Sequence, residues 1–169
     1  MNGAIFFASK YGSTAQYAGW IGEATGLPVF NIENTPPPEG FDFVVLGSPV
    51  IYYGFLIENW VREHLPALLA RPVVFFSVSG AGPGPKLDAW LPESLPKSFV
   101  QHMRHVGLRG RQIPKELTLY DRTMLIIAGL KNPDRKAGQE ELKGFDYMDQ
   151  GSIGPIVEMV RRLQQREVA

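Results

Sequence analysis

Three runs of bulky apolar residues recur along the first half of the chain without the polar alternation of a half-exposed strand. They are residues 3–8 (GAIFFA), 42–47 (DFVVLG) and 72–78 (PVVFFSV). Short runs that are apolar on both faces are typical of strands buried inside a parallel sheet. We expect two further strands at 28–32 and near 105–110.

Helix-like segments separate these strands. The expected helices are 14–25, 55–69, 116–131 and 152–166, with helix signals over 87–104 that Pro92 and Pro96 interrupt. Strands that alternate with helices form a parallel sheet with helices on both faces. The sequence therefore predicts an α/β fold: a doubly wound five-stranded parallel sheet in a three-layer sandwich. We expect residues 1–169 to form a single domain of this kind.

Composition excludes several classes of function. The 169 residues include no cysteine, which excludes disulfides, thiolate catalysis and cysteine-ligated metal sites. No segment reaches the roughly 18 apolar residues of a membrane span, and no signal-peptide pattern opens the chain. We expect a cytoplasmic protein with no metal site.

Charge is unevenly distributed although the chain is neutral overall. Residues 97–136 carry nine Lys and Arg against three Asp and Glu, while residues 1–96 are net acidic. The basic block is either a surface that meets an anionic partner or an ordinary solvated face. No dense stripe of basic and aromatic residues is present, so we expect no nucleic-acid partner.

The loop after the first strand has the composition of an anion site. Residues 9–14 (SKYGST) lie at the carboxyl end of that strand, the edge where doubly wound sheets bind ligands, and they lead into a helix N-terminus. Ser9, Ser13 and Thr14 offer hydroxyl groups, and Gly12 permits close backbone approach. The alternative is a simple helix cap, for which Ser and Thr are also common. The spacing fits neither GxxxxGK[ST] nor GxGxxG.

Two further loops are expected at the same edge. The segment after the third strand (SPVIYYG) carries Tyr52 and Tyr53, which either stack on a planar ring or pack against the next helix. The segment after the fourth strand (SVSGAG, 77–82) offers small residues and accessible backbone. One anion loop, one aromatic loop and one small-residue loop together suit a phosphorylated flat heterocycle.

These motifs, in this order, resemble those of the flavodoxin-like family. The resemblance implies that FMN binds, with its phosphate held by the first loop and its isoalloxazine flanked by the other two. Tyr11 departs from the family pattern, which has a threonine hydroxyl there in many members. By this resemblance the phosphate ligands are Ser9, Lys10, Tyr11, Gly12, Ser13 and Thr14, and the ring-flanking residues are Pro49, Val50, Ile51, Tyr52, Tyr53, Gly54, Ser77, Val78, Ser79 and Gly80.

Two segments resemble the branch of this family that contains menaquinone-dependent protoporphyrinogen oxidase. They are KYGST and LYDRTMLIIAGLKN (119–132). The branch resemblance implies quinone access and peripheral contact with the inner face of the membrane. Helix 116–131 is apolar nearly all round, and such a helix is more often buried in a core than placed at an interface. We expect core burial for this helix, with an interface or a contact with an anionic membrane as the open alternatives.

We identify no catalytic side chain. His64, His102 and His105 are expected to be structural or exposed, and Asp121 is expected to pair locally with Arg122 or to cap the helix start. The predicted function is that of an FMN-dependent oxidoreductase acting on a quinone, a porphyrin or a similar small substrate. The alternatives are a one-electron carrier, which is usually more acidic than this chain, and a flavin-free scaffold or regulatory module. Expected partners are a small-molecule or protein electron donor or acceptor and a second copy of the chain in a homodimer.

Overall fold

The computed structural model describes residues 1–131 and 133–166. The strands are β1 (Gly3–Phe7), β2 (Val29–Asn31), β3 (Phe43–Ile51), β4 (Gly54–Phe55), β5 (Val73–Ser79), β6 (Arg104–Arg109), β7 (Arg111–Gln112) and β8 (Phe145–Asp146). The α-helices are α1 (Ser13–Thr25), α2 (Glu58–Glu63), α3 (Leu65–Leu69), α4 (Pro85–Ser94), α5 (Lys97–His102), α6 (Leu119–Lys131), α7 (Arg135–Lys143) and α8 (Gly154–Gln165). Single 3₁₀ turns lie at Pro38–Gly40, Pro114–Glu116 and Gln150–Ile153.

Five parallel strands form the main sheet in the order β2-β1-β3-β5-β6. The chain starts in the interior of the sheet, builds outward to β2, and then crosses to the other side through β3, β5 and β6. The predicted doubly wound five-stranded sheet is confirmed. Because the strands are parallel, the segments that follow β1, β3, β5 and β6 all emerge at one edge.

Two apolar layers cover the two faces of the sheet. One contains Phe6, Leu46 and Phe75 with side chains from α2 to α5, and the other contains Ile5, Val45 and Phe76 with side chains from α1 and α8. Neighbouring residues of one strand, such as Phe75 and Phe76, are fully buried on opposite faces. This explains why the strands lack polar alternation.

The segment SPVIYYG is a tight hairpin, and the prediction of a loop over the whole segment is wrong. β3 continues to Ile51 and pairs antiparallel with β4, so that Tyr52 and Tyr53 alone form the turn. Both have positive φ, 50° and 66°. Two consecutive positive φ values are those of a type I′ turn, whose twist matches the flanking strands. The turn thus holds two aromatic side chains in a backbone region that disfavours them.

The predicted helix 55–69 is two helices, α2 and α3, that meet at His64. Pro66 lies in the first turn of α3 and has no N–H for a helical hydrogen bond, so a continuous helix would be interrupted there. The two helices still cover the same face of the sheet, through Trp60, Val61 and Leu68.

The expected core burial of helix 116–131 is wrong. Within α6 only Asp121 and Gly129 are buried, whereas Leu119 and Leu130 are 84% and 74% exposed. The helix packs mainly against α7, and both faces of the sheet are already covered by other helices. The polar segment that follows contributes α7 and the strand β8 that pairs with β7. In the described residues, no helix is long and apolar enough to cross a membrane.

Candidate functional site

The loop between β1 and α1 leaves the start of α1 open. Gly12 precedes the helix with φ 97°, a left-handed conformation that glycine adopts without strain. No side chain caps the helix, although the Ser9 hydroxyl accepts a hydrogen bond from the Gly12 N–H at 3.2 Å. The first N–H groups of a helix have no partner within the helix, so this arrangement favours an anion beyond the helix end.

The Thr14 hydroxyl is buried and unpartnered. The residue is 1% exposed, and its Oγ1 has no hydrogen-bond partner among the described atoms. A buried hydroxyl without a partner costs about 1–3 kcal/mol. A simple helix cap does not explain it, because a capping hydroxyl bonds to the backbone of its own helix. A ligand with acceptor oxygens at the start of α1 fits both the open N–H groups and this hydroxyl.

Arg111 approaches the same loop from β7. Its backbone N–H lies 3.4 Å from the Ser13 hydroxyl, which fixes β7 beside the start of α1. Its Nη2 lies 4.0 Å from the position that a Cβ would occupy on Gly12. Sequence reasoning missed this residue because it belongs to no motif, and the only signal was its place in the basic block 97–136.

The two turn tyrosines project from the neighbouring hairpin. Tyr52 and Tyr53 are 50% and 67% exposed. The Tyr53 ring lies edge-on to Trp90 of α4, with centroids 5.5 Å apart, and the Tyr52 ring lies edge-on to Tyr120 of α6 at 6.1 Å. Each ring therefore packs partly on a helix and keeps a large exposed face, which leaves room for a stacking partner.

The segment 77–80 is divided between core and edge. Ser77 and Val78 are buried, and the Ser77 hydroxyl lies 2.7 Å from Nε2 of His105. The Ser79 hydroxyl accepts a hydrogen bond from the Gly82 N–H. Gly80 lies under the Phe145 ring, and a Cβ at this position would be 2.4 Å from the ring atom Cζ. The side chains of Ser77, Val78 and Ser79 are all buried and belong to the packed sheet, so the accessible edge of this loop begins at Gly80.

Asp121 connects the loop at residues 9–14 with the Tyr52–Tyr53 turn, so the expected alternatives, pairing with Arg122 and capping the helix start, are both wrong. The carboxylate of Asp121 accepts hydrogen bonds from the phenols of Tyr11 and Tyr52, and Nζ of Lys10 lies 2.5 Å from it. The Thr118 hydroxyl accepts from the Asp121 N–H at 3.2 Å and so caps α6. A single buried carboxylate at the start of α6 therefore holds side chains from both loops.

Electrostatics stabilise the charged form of Asp121. Burial alone would raise the pKa of its carboxyl, but hydrogen bonds from Lys10, Tyr11 and Tyr52 outweigh burial and lower the pKa well below its ordinary value. Burial and the bond to this carboxylate raise the pKa of Tyr52. The bond to Asp121 likewise raises the pKa of Lys10. Tyr52 is therefore a neutral donor and Lys10 a cation at every pH near neutrality.

The structure thus brings together residues 9–14 and Tyr52 of the predicted site and adds Asp121 and Arg111. In the part of the chain that the structure describes, no three His, Asp or Glu side chains are placed to hold a metal ion.

Most of the chain matches a known family. The family model for the flavodoxin domain matches residues 4–134. No curated protein matches the chain. Similar solved structures include a flavodoxin from Fusobacterium nucleatum bound to flavin mononucleotide, at 16% identity over 66% of this chain and 71% of that one, with a TM-score of 0.42.

Two other structures are similar over nearly the whole chain. A WrbA-like flavodoxin from Agrobacterium tumefaciens is 11% identical over 95% of this chain and 98% of its own, with a TM-score of 0.47. A flavodoxin from the domain Archaea is 16% identical over 95% and 99%, with a TM-score of 0.43. With its family model matching most of its length, the chain belongs to the flavodoxin domain family.

Proposed function

We propose that this protein is a flavoprotein whose one domain binds FMN, with the phosphate held by residues 9–14 and the ring flanked by residues 49–54 and 77–80. The observation that carries the proposal is the Thr14 hydroxyl, buried without a partner at the open start of α1. It lies in the segment that the flavodoxin family model matches, and the related Fusobacterium flavodoxin is bound to flavin mononucleotide.

FMN, when bound, supplies the redox chemistry, and the chain's own residues bind and orient it. The N–H groups of the first turn of α1 and the hydroxyl of Thr14 would donate to the phosphate, while the Ser13 hydroxyl stays bonded to the backbone of Arg111. The exposed faces of Tyr52 and Tyr53 would stack on the ring, since both rings are held by packing on α6 and α4. Asp121 holds the Tyr52 ring in place, because its carboxylate accepts a hydrogen bond from the Tyr52 phenol.

The binding test is an absorbance spectrum of the purified protein followed by FMN titration of the apoprotein. A Thr14→Ala variant should bind FMN about 10-fold more weakly, since it loses one hydrogen bond to a charged group. The matched control is Thr25→Ala at the other end of α1, where the hydroxyl donates to the Ile21 carbonyl. A protein that binds no FMN at excess ligand would overturn the proposal and leave a flavin-free scaffold or regulatory module.

The narrower proposal is an oxidoreductase that acts on a quinone, a porphyrin or a similar small aromatic substrate. Its support is the apolar surface beside Tyr52: Tyr120 and Leu119 at the start of α6 are 67% and 84% exposed. A flat apolar substrate would find aromatic and aliphatic contacts there, next to the proposed ring site. The neutral net charge disfavours the alternative of a one-electron carrier, which docks through strong acidic surfaces.

Anaerobic stopped-flow experiments distinguish these two uses of the flavin. The reduced protein is mixed with a soluble menaquinone analogue, and the oxidised protein with protoporphyrinogen or with a flavodoxin reductase and NADPH. Fast exchange with the quinone or porphyrin supports the oxidoreductase, and fast exchange with the reductase alone supports the carrier. Flotation with anionic vesicles tests the proposed peripheral membrane contact separately, and protein that stays at the bottom of the gradient contradicts it.

A further inference from the structure

The backbone of Arg111 is fixed beside the start of α1. The chain leaves β6 at Arg109, and the Gly110 N–H bonds the Ser79 carbonyl at 3.1 Å. The Ser13 hydroxyl then lies 3.4 Å from the Arg111 N–H and 3.5 Å from its carbonyl oxygen. This double contact holds β7 against the loop that we propose binds phosphate, although the two segments are about 100 residues apart in sequence.

The side chain of Arg111 turns back over that loop. Its Nη2 lies 4.0 Å from the position of a Cβ on Gly12, and its Nε is buried with no hydrogen-bond partner. It forms no ion pair with any acidic side chain that the structure describes. Asp146, which faces it in the β7–β8 register, accepts a hydrogen bond from the Met148 N–H instead.

The other cation of the loop is already compensated. Lys10 is paired with Asp121 at 2.5 Å, so its charge is largely neutralised by a carboxylate of the chain itself. A partly buried guanidinium with an unpartnered N–H is costly unless an anion meets it. Arg111 is therefore the cation at the start of α1 whose counter-ion the described part of the chain does not supply.

We propose that Arg111 is the ligand that recognises the charge of the phosphate group, so that the site selects a phosphorylated flavin over riboflavin. This inference rests on the proposed FMN function and adds a residue outside the three predicted loops. The guanidinium fork suits a phosphate because it can donate two parallel hydrogen bonds to two oxygens. The neutral donors at the start of α1 would fix the position of the phosphate. Arg111 would bind its negative charge, which riboflavin lacks.

The first experiment measures FMN and riboflavin binding to the apoprotein by calorimetry. The proteins are wild type, Arg111→Gln, Arg111→Lys and the control Arg104→Gln, an exposed arginine at the opposite end of β6. We expect Arg111→Gln to weaken FMN roughly 10- to 100-fold, from the loss of charged hydrogen bonds, and to leave riboflavin binding unchanged. Arg111→Lys should weaken FMN less, and Arg104→Gln should change neither ligand.

The second experiment titrates the bound phosphate, first in the wild-type complex. The phosphate of free FMN titrates near pH 6, and ³¹P chemical shifts report its protonation in the bound state. A guanidinium against the phosphate should lower that pKa in the wild-type complex and keep the group dianionic at pH 5.5. In Arg111→Gln the phosphate pKa should return toward 6. The donors at the start of α1 act in both proteins, so with a merely structural Arg111 the phosphate pKa would be the same in wild type and Arg111→Gln.

The outcomes separate the two proposals. If the wild-type protein binds neither flavin, the proposed function fails. If it binds FMN, but the FMN-to-riboflavin preference is the same in Arg111→Gln, only the role of Arg111 is overturned. If Arg111→Gln does not fold, the ³¹P titration of the wild-type complex decides, and a bound phosphate with an unshifted pKa overturns the inference.

Discussion

Replacing Asp121 with asparagine should release the α6–α7 hairpin and leave the sheet intact. Asp121 is one of two buried residues in α6, and its carboxylate accepts the phenol hydrogen bonds of Tyr11 and Tyr52 beside the Lys10 ion pair. The rest of the helix is largely exposed and packs mainly on α7. The carboxylate is therefore the main polar attachment of this hairpin to the two loops.

The size of the effect follows from the lost interactions. Hydrogen bonds to a charged group are worth about 1.5–3 kcal/mol each. The Lys10 pair contributes less, because the Lys10 side chain is 36% exposed and solvent screens it. Asparagine keeps one acceptor oxygen for one phenol. We therefore expect a loss of about 2 kcal/mol, which raises the open population about 30-fold.

Hydrogen–deuterium exchange with mass spectrometry measures this opening directly. In Asp121→Asn, the amides of 119–131 should exchange about 30-fold faster, while those of β5 should keep their wild-type rates, since local opening does not require global unfolding. Glu158→Gln is the control, because it removes a carboxylate from an exposed ion pair with Arg162 on α8. Unchanged exchange over 119–131, or an equal acceleration in β5, would refute the reasoning.

Three other perturbations test other parts of the structure. Thr14→Val should raise the apoprotein's melting temperature slightly, since it removes a buried unpartnered hydroxyl, and should weaken FMN binding in titration. Gly12→Ala should cost about 1–2 kcal/mol in chemical denaturation, because φ 97° strains any Cβ, although no atom clashes at that position. Burial lowers the pKa of His105 below its ordinary value of 6.5. As the pH falls, the imidazole therefore binds a proton in the unfolded chain before it does so in the folded protein, which favours unfolding. Stability should therefore fall through this range in wild type and fall less in His105→Gln, as measured by urea midpoints from pH 7.5 to 5.5.

The fold could be predicted because its determinants are local. A strand covered on both faces must be apolar at successive positions, as Phe75 and Phe76 are, and that pattern is visible without any tertiary contact. The anion loop was equally visible, since its place between a strand and a helix is fixed by the chain itself. The turn at Tyr52 and Tyr53 could not be predicted, because two consecutive residues with positive φ are normally glycine or asparagine.

The residues that complete the site could not be found in this way. Asp121 meets Tyr11 across 110 positions and Tyr52 across 69, so the contact depends on how α6 packs after the sheet has formed. Arg111 is positioned by the β7–β8 ribbon, whose two-residue strands are too short to leave a pattern. The apolar sequence of α6 indicates burial in the core, but other helices already cover both faces of the sheet.

Asp121, Lys10 and Arg111 together set the charge beside the start of α1. Asp121 neutralises Lys10 and at the same time holds the phenols of Tyr11 and Tyr52, so one carboxylate both orders the two loops and removes one positive charge from them. Arg111 is left as the cation beside Gly12. Without Asp121, Lys10 would remain as a second cation of the loop without this counter-ion. In the proposed site, the carboxylate thus leaves Arg111, Thr14 and the open start of the helix as the groups that one phosphate would satisfy together.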